Sequence, residues 1–186
     1  MALARGLPYS AVTQRFSTVY KRFTACYDPL EGQLPLSVES VLRDHAFIQG
    51  LTAEQVTRLA SVATKAVFEE NEIIFADREH SSAFYFLVSG SVAIELRAAR
   101  YAVCVQALGP GQVFGWSALL DRQDTLFQVR AREETLALRI EGEKLKALCR
   151  DDPKLCADLL QRTLNVVASR VRATEERFAE MCGIRV

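Results

Sequence analysis

Residues 108–132 read LGPGQVFGWSALLDRQDTLFQVRAR, and the fold turns on how that stretch is taken. Gly109-Pro110-Gly111 punctuates the end of an apolar run that closes at Leu108. Gly115 lets the backbone approach another group closely at the start of a short helical turn, Trp116 to Leu120. The first turn of any helix leaves its N–H donors unpaired, so the corner reads as an anion site. It reads equally well as a glycine-rich corner in a β-barrel. A polar loop follows, and the chain returns as a strand over Phe127 to Ala131.

Working outward, short β-rich runs lie on both sides of this corner. Glu72 to Phe75, Ala83 to Val88, Ser91 to Leu96 and Ala102 to Leu108 precede it, and Thr135 to Ile140 follows. Ser89-Gly90 between two of these runs is a hairpin signal. Short strands at close, even spacing predict an antiparallel barrel or sandwich. Helices flank them. Val38, Val41, Leu42 and His45 fit a first helix ending near Gly50, and Thr52 with Gln55 makes a capping box for a second over Ala53 to Thr64. Glu141 to Arg150 is a short helix, and Asp152-Pro153 then supplies an N-cap followed by proline at the first helical position. Beyond it Leu160, Leu164, Val167, Val171, Thr174, Phe178 and Met181 alternate by four and three. That heptad seam predicts a parallel two-helix dimer, flanked by Arg170, Arg172, Glu175, Glu176 and Arg177. Packing within the chain is the alternative. The fold class is therefore α+β: an antiparallel β-barrel or jelly roll with N-terminal helices and a long C-terminal helix. The expected divisions are residues 1–36 as helix and linker, 37–150 as barrel domain with flanking helices, and 151–186 as dimerisation helix.

Composition narrows the function classes. The 186 residues are 49% hydrophobic and 25% charged, with Lys+Arg and Asp+Glu equal at 23 each. No global field recruits nucleic acid, and no apolar run approaches a membrane span. Five cysteines (26, 104, 149, 156, 182) without a CxxC pair read as reduced thiols in a cytoplasmic protein. The two histidines, His45 and His80, are far apart, so no metal site is expected. The first 27 residues carry Arg5, Arg15, Lys21 and Arg22 and no acid. Apolar spacing from Val12 to Tyr27 predicts an amphipathic helix over Ser10 to Tyr27, read as a docking extension with a transit peptide as the alternative. Neither a nucleophile–base pair nor a phosphate-transfer motif is found, so enzymatic activity is not expected.

The ordered set of pieces resembles a family. Phe47, Gly50-Leu51-Thr52, Phe75, Tyr85-Phe86-Leu87-Val88-Ser89-Gly90-Ser91-Val92, Leu108-Gly109-Pro110-Gly111, Phe114-Gly115 and Val129-Arg130-Ala131 occur in series. Over roughly residues 40–182 the chain is similar to the cyclic-nucleotide-binding domain, most of all the sensor half of the bacterial cAMP receptor family of regulators. The resemblance implies a cyclic nucleotide as the one cofactor to consider. Its ligand positions carry over to Gly115, Trp116, Ser117, Ala118, Arg122, Thr125, Leu126 and Thr174. The family usually has a glutamate after the corner glycine, for the ribose hydroxyl, where this chain has Trp116, a donor only. The family's phosphate-binding Arg-Ser/Thr pair falls on Thr125 and Leu126, with the register open by about one position, and Arg122 lies three residues early. Thr174 aligns with a purine-contacting threonine and also lies on the seam. The turn that is commonly Glu-Gly-Asp reads Asp77-Arg78-Glu79, which removes a glycine and changes the expected geometry.

A charge-assisted hydrogen bond contributes about 1.5–3 kcal/mol. Losing the arginine and glutamate contacts together costs on the order of 3–6 kcal/mol, roughly a hundred- to ten-thousand-fold in affinity. The expectation is a standalone sensor-like regulatory domain whose pocket is filled or altered, with Trp116 at its mouth, acting through a homodimer and a protein partner. The resemblance also implies two alternatives: a genuine cAMP, cGMP or cyclic-dinucleotide receptor using Arg122, and a haem or redox sensor using His80 and Cys104. No winged-helix recognition element follows Met181, so DNA readout is not expected.

Overall fold

The computed structural model describes residues 37–79, 81–120 and 125–184. The expected Ser10–Tyr27 helix, Cys26, His80 and Arg122 lie outside these. Two helices lead: α1 (Val38–Asp44) and, after a 3-10 turn at Ala46–Ile48, α2 (Ala53–Val62). Eight strands follow among the described residues: β1 (Thr64–Phe68), β2 (Ile73–Phe75), β3 (Ala83–Ser89), β4 (Val92–Arg97), β5 (Ala102–Leu108), β6 (Val113–Phe114), β7 (Phe127–Ala131) and β8 (Thr135–Glu141). The chain closes with α3 (Gly142–Asp151) and the 29-residue α4 (Pro153–Met181). The strands form two antiparallel four-stranded sheets, ordered β1-β8-β3-β6 and β2-β7-β4-β5. This is the α+β jelly roll flanked by helices that the sequence predicts.

Every residue of β3 is buried, because the strand serves two cores. Phe84, Phe86 and Val88 face the helices, with Leu138 and Ile140 of β8 and Leu42 and Leu59 of α1 and α2. Tyr85 and Leu87 face the other sheet, packing with its Val92 and Val129 and with Phe114 of the neighbouring β6. Strict alternation along an extended strand sends neighbours to opposite faces, so a run of apolar residues with no polar alternation marks a strand between two layers.

Caps and turns fall where the sequence puts them. The Thr52 hydroxyl accepts from the Gln55 amide at 3.2 Å, and the Gln55 side chain accepts from Thr52 N–H at 2.9 Å. Asp152 accepts from Leu155 N–H at 2.9 Å, with Pro153 next to it. Gly90 makes the expected turn with φ +76°, a conformation closed to side chains there because a Cβ would lie 2.5 Å from the Glu134 carbonyl. The turn is not the expected hairpin: β3 pairs with β6 and β8 and β4 with β5 and β7, so Gly90 carries the chain from one sheet to the other. Three further expectations need correction. The second helix ends at Val62, not Thr64: Thr64 opens β1, whose pairing with β8 outweighs one more helical turn. The turn at Asp77-Arg78-Glu79 keeps a left-handed residue even without glycine. Arg78 has φ +64° and its N–H donates to the Thr125 carbonyl at 2.6 Å, against a steric cost of about 1 kcal/mol. The seam on α4 is also only half of that helix's apolar surface. Leu155, Leu159 and Thr163 form a second, buried stripe against the barrel.

The first helix stops at Asp44, short of the expected end near Gly50, because His45 leaves the helical conformation and its N–H donates to the Leu42 carbonyl at 3.0 Å. His45 also caps the 3-10 turn that follows: its Nδ1 accepts from Phe47 N–H at 3.2 Å, so Nε2 carries the proton and donates to the Leu87 carbonyl at 3.1 Å. The ring is fully buried, edge-on to Phe86. Burial lowers its pKa from 6.5 to about 4, with hydrogen bonds to backbone groups opposing this. An unfolded chain takes up that proton near 6.5, whereas the folded chain resists it until about 4. The stabilisation is therefore fully present above pH 6.5 and is lost as pH falls to about 4. The loss attributable to His45 is roughly 3 kcal/mol. Denaturant unfolding across that range checks it: His45→Gln should have a flatter pH dependence than the native chain, and parallel profiles would contradict the assignment.

Candidate functional site

A cavity of about 460 Å³ lies between the second sheet, the glycine corner and α4. Its size is that of a small-molecule pocket. Phe75 of β2, Ile94 of β4, Phe114 of β6 and Val129 of β7 contribute apolar wall from the strands. Phe114 stacks on Tyr85 at 4.6 Å and leans on Phe75 at 6.4 Å, so an aromatic stack ties this wall to β3. The opposite wall is α4, through Val167, Arg170, Val171, Thr174 and Glu175. Val105 and Gln106 of β5 and Thr125, Leu126 and Phe127 add to the lining.

The corner itself resolves into packing. Gly115 has φ +74°, and a Cβ there would sit 2.3 Å from the Ala83 carbonyl and 3.0 Å from the Ser81 hydroxyl. The group that the backbone approaches is thus the barrel's own β3. The following turn, Trp116–Leu119, is a four-residue 3-10 helix, which favours the barrel-corner reading of the glycines over the anion site. Ala118 is buried beneath it, where a Cβ on Gly142 would meet the Ala118 carbonyl at 2.7 Å, and is absent from the lining. Trp116 lines the cavity and packs against the helix-side core. It leaves the cavity open and does not fill it.

Among the other expected positions, Gly115, Ser117, Thr125, Leu126 and Thr174 all reach the lining. Two of their hydroxyls are already engaged. Thr125 Oγ1 accepts from Phe127 N–H at 3.1 Å and donates to the Phe127 carbonyl at 3.2 Å, and Thr174 Oγ1 donates to the Arg170 carbonyl at 2.9 Å. Cys104 is exposed on β5 and outside the lining. Of the seam, Val167, Val171 and Thr174 share the cavity wall, while Leu160, Leu164, Phe178 and Met181 are exposed, Met181 at 80%.

Residues 65–152 match the cyclic nucleotide-binding domain family. Over that stretch the chain is similar to a cyclic nucleotide-binding domain. A domain of that kind from Methylobacillus flagellatus superposes with a TM-score of 0.66 at 16% identity, over 78% of this chain and 82% of that one. A protein named as a potassium channel in Rhodopseudomonas palustris is 30% identical over 111 residues, 60% of this chain and 27% of its own. A CRP-like cAMP-activated global transcriptional regulator of Mycobacterium tuberculosis is 23% identical over 145 residues, 77% of this chain and 63% of that protein. The chain thus spans less than two thirds of the length of either relative.

Within the domain, the residue that sequence reasoning underrated is Arg170, read there as a flank of the seam. Val167, Arg170, Val171 and Thr174 follow the i, i+3, i+4, i+7 spacing of one helix face, which was the available signal. Arg170 donates to the Val113 carbonyl, and burial lowers its pKa to about 10, leaving it charged at neutral pH. Arg177 of the same helix donates to the Val105 carbonyl at 2.6 Å. Two arginines therefore tether α4 to the strands across the cavity. Among the described residues, no helix is long and apolar enough to cross a membrane, and no cluster of three or more His, Cys, Asp or Glu is placed to hold a metal ion.

Gly115→Ala tests the packing reading of the corner. The added methyl meets backbone oxygen in a conformation that side chains rarely adopt, so the loss of stability should be at least about 2 kcal/mol. Thermal or denaturant unfolding measures it, and a near-neutral effect would return the glycine to a ligand-facing role.

Proposed function

We propose that this domain is a non-catalytic sensor whose cavity takes a small molecule and whose α4 reports occupancy to a second copy of the chain or a protein partner. The observation that carries the reading is the double use of one helix. Val167, Arg170, Val171 and Thr174 wall the cavity, and the adjoining exposed residues Leu160, Leu164, Val171 and Phe178 continue along the heptad seam. A displacement of a rigid helix by ligand is then a displacement of the docking face. In this reading residues 37–150 are the sensing unit and 151–186 the dimerisation helix. The relatives, a channel and a transcriptional regulator by name, support a regulatory role for such a domain within larger proteins.

The binding cassette departs from its family. Trp116 stands where a carboxylate is usual, the Thr125 hydroxyl is occupied by the Phe127 backbone, and Leu126 is 68% exposed. No binding of cAMP at micromolar concentration is expected. A thermal-shift panel of cAMP, cGMP and cyclic dinucleotides tests this, because a ligand of the folded state raises the melting temperature by mass action. A clear micromolar shift with cAMP, lost in Arg122→Ala, would instead establish a true nucleotide receptor.

The seam has its own test. Leu164 and Phe178 are 66% and 63% exposed, so replacing both with Glu should change the stability of the single chain by less than about 1 kcal/mol. Light scattering should show a dimer for the native chain and a monomer for the variant. Identical masses for the two would remove the seam from the proposal.

A further inference from the structure

We infer that the cavity is built for a small amphiphilic anion, an apolar body ending in one carboxylate that Arg170 holds, and not for a cyclic nucleotide. The inference rests on the sensor reading above and names the class of its ligand. Arg170 is the one cation on the described lining. A guanidinium has five N–H donors in a planar fork. The partner of Arg170 is the neutral Val113 carbonyl, and no salt bridge to a carboxylate is found for it among the described residues. A charged fork beside a cavity, with donors to spare and no anion of its own, fits a bidentate carboxylate.

The rest of the wall decides what that carboxylate is attached to. Phe75, Ile94, Phe114, Phe127, Val129 and Val167 present hydrocarbon. The Thr125 and Thr174 hydroxyls are engaged with backbone. A nucleotide's ribose and base edges would be set against phenylalanine and valine, leaving polar groups without partners. Gln106 and Ser117 add polar side chains to the wall, but the one cationic donor on the described lining is Arg170, so a ligand with its charge at one end and hydrocarbon elsewhere matches it. Glu175, the one acid on the described lining, is exposed on α4. Solvent screens that exposed carboxylate, and one part-buried cation on the described wall suits a single negative charge better than several.

Trp116 is the only tryptophan in the sequence and lies on the wall, so its fluorescence reports occupancy. The full chain is titrated with octanoate and 4-phenylbutyrate, with the matching uncharged amides, and with cAMP. Both carboxylates should change the Trp116 emission, saturating in the micromolar to millimolar range, with the amides roughly ten- to a hundred-fold weaker. Arg170→Gln should weaken the carboxylates by roughly the same factor and leave the amides unchanged. Retained amide binding by that variant shows that it is folded, and Arg170→Lys should restore part of the lost affinity. Equal affinity for acid and amide, or an unchanged Arg170→Gln, overturns the carboxylate assignment but leaves the sensor reading standing. Binding of cAMP with neither carboxylate bound overturns the ligand class alone. Failure of every probe, nucleotides included, at millimolar concentration overturns the inference and the sensor reading together.

Discussion

The two-sided burial of β3 is the constraint on which the rest of the molecule depends. A strand with core on both faces must have a layer on each side, and here these are the helices over Phe84 and Phe86 and the second sheet over Tyr85 and Leu87. The glycine corner is a dependent of the same strand, since Gly115 sits against the Ala83 carbonyl and Tyr85 stacks on Phe114. His45 pins α1 to it as well, through the Leu87 carbonyl. Cavity wall, leading helices and corner are all referenced to one rigid element.

Against that fixed frame α4 is held differently. Its first half is buried through Leu155, Leu159 and Thr163 and is linked to α2 by Gln55 to Asp158 at 3.2 Å. Its second half crosses the cavity, held among the described residues chiefly by arginine-to-carbonyl bonds from Arg170 and Arg177. Packing fixes the N-terminal half, and a few polar contacts position the C-terminal half. Elements held by few buried apolar contacts open at lower free energy than core elements.

Much of the fold was legible because its signals are local. The strand Phe127–Ala131 and the strand Ala102–Leu108 have the limits that their β-rich runs give, and the caps at Thr52 and Asp152 follow from their side-chain chemistry. β1 was harder to see, because Thr64 continues the spacing of the preceding helix and only pairing with Arg139 across the sheet decides its state. The two-residue β6 is too short to carry a period. In the site, Trp116 was visible as a departure at a known position. Arg170 was not, because a heptad seam and a barrel-facing stripe differ by about one residue on a helix surface. The aromatic wall of Phe75 and Phe114 exists only once two sheets are stacked.

The contact between Gly115 and the Ala83 carbonyl has a mechanical consequence. The cavity has one stiff side, backed through the corner by the most deeply buried strand, and one compliant side, the distal half of α4. Force from an occupant that presses on both is taken up almost wholly by the compliant side. In the sensor reading proposed above, occupancy becomes motion in a single direction, toward the exposed leucines and phenylalanine of the helix. The rigidity of the corner gives that motion its direction.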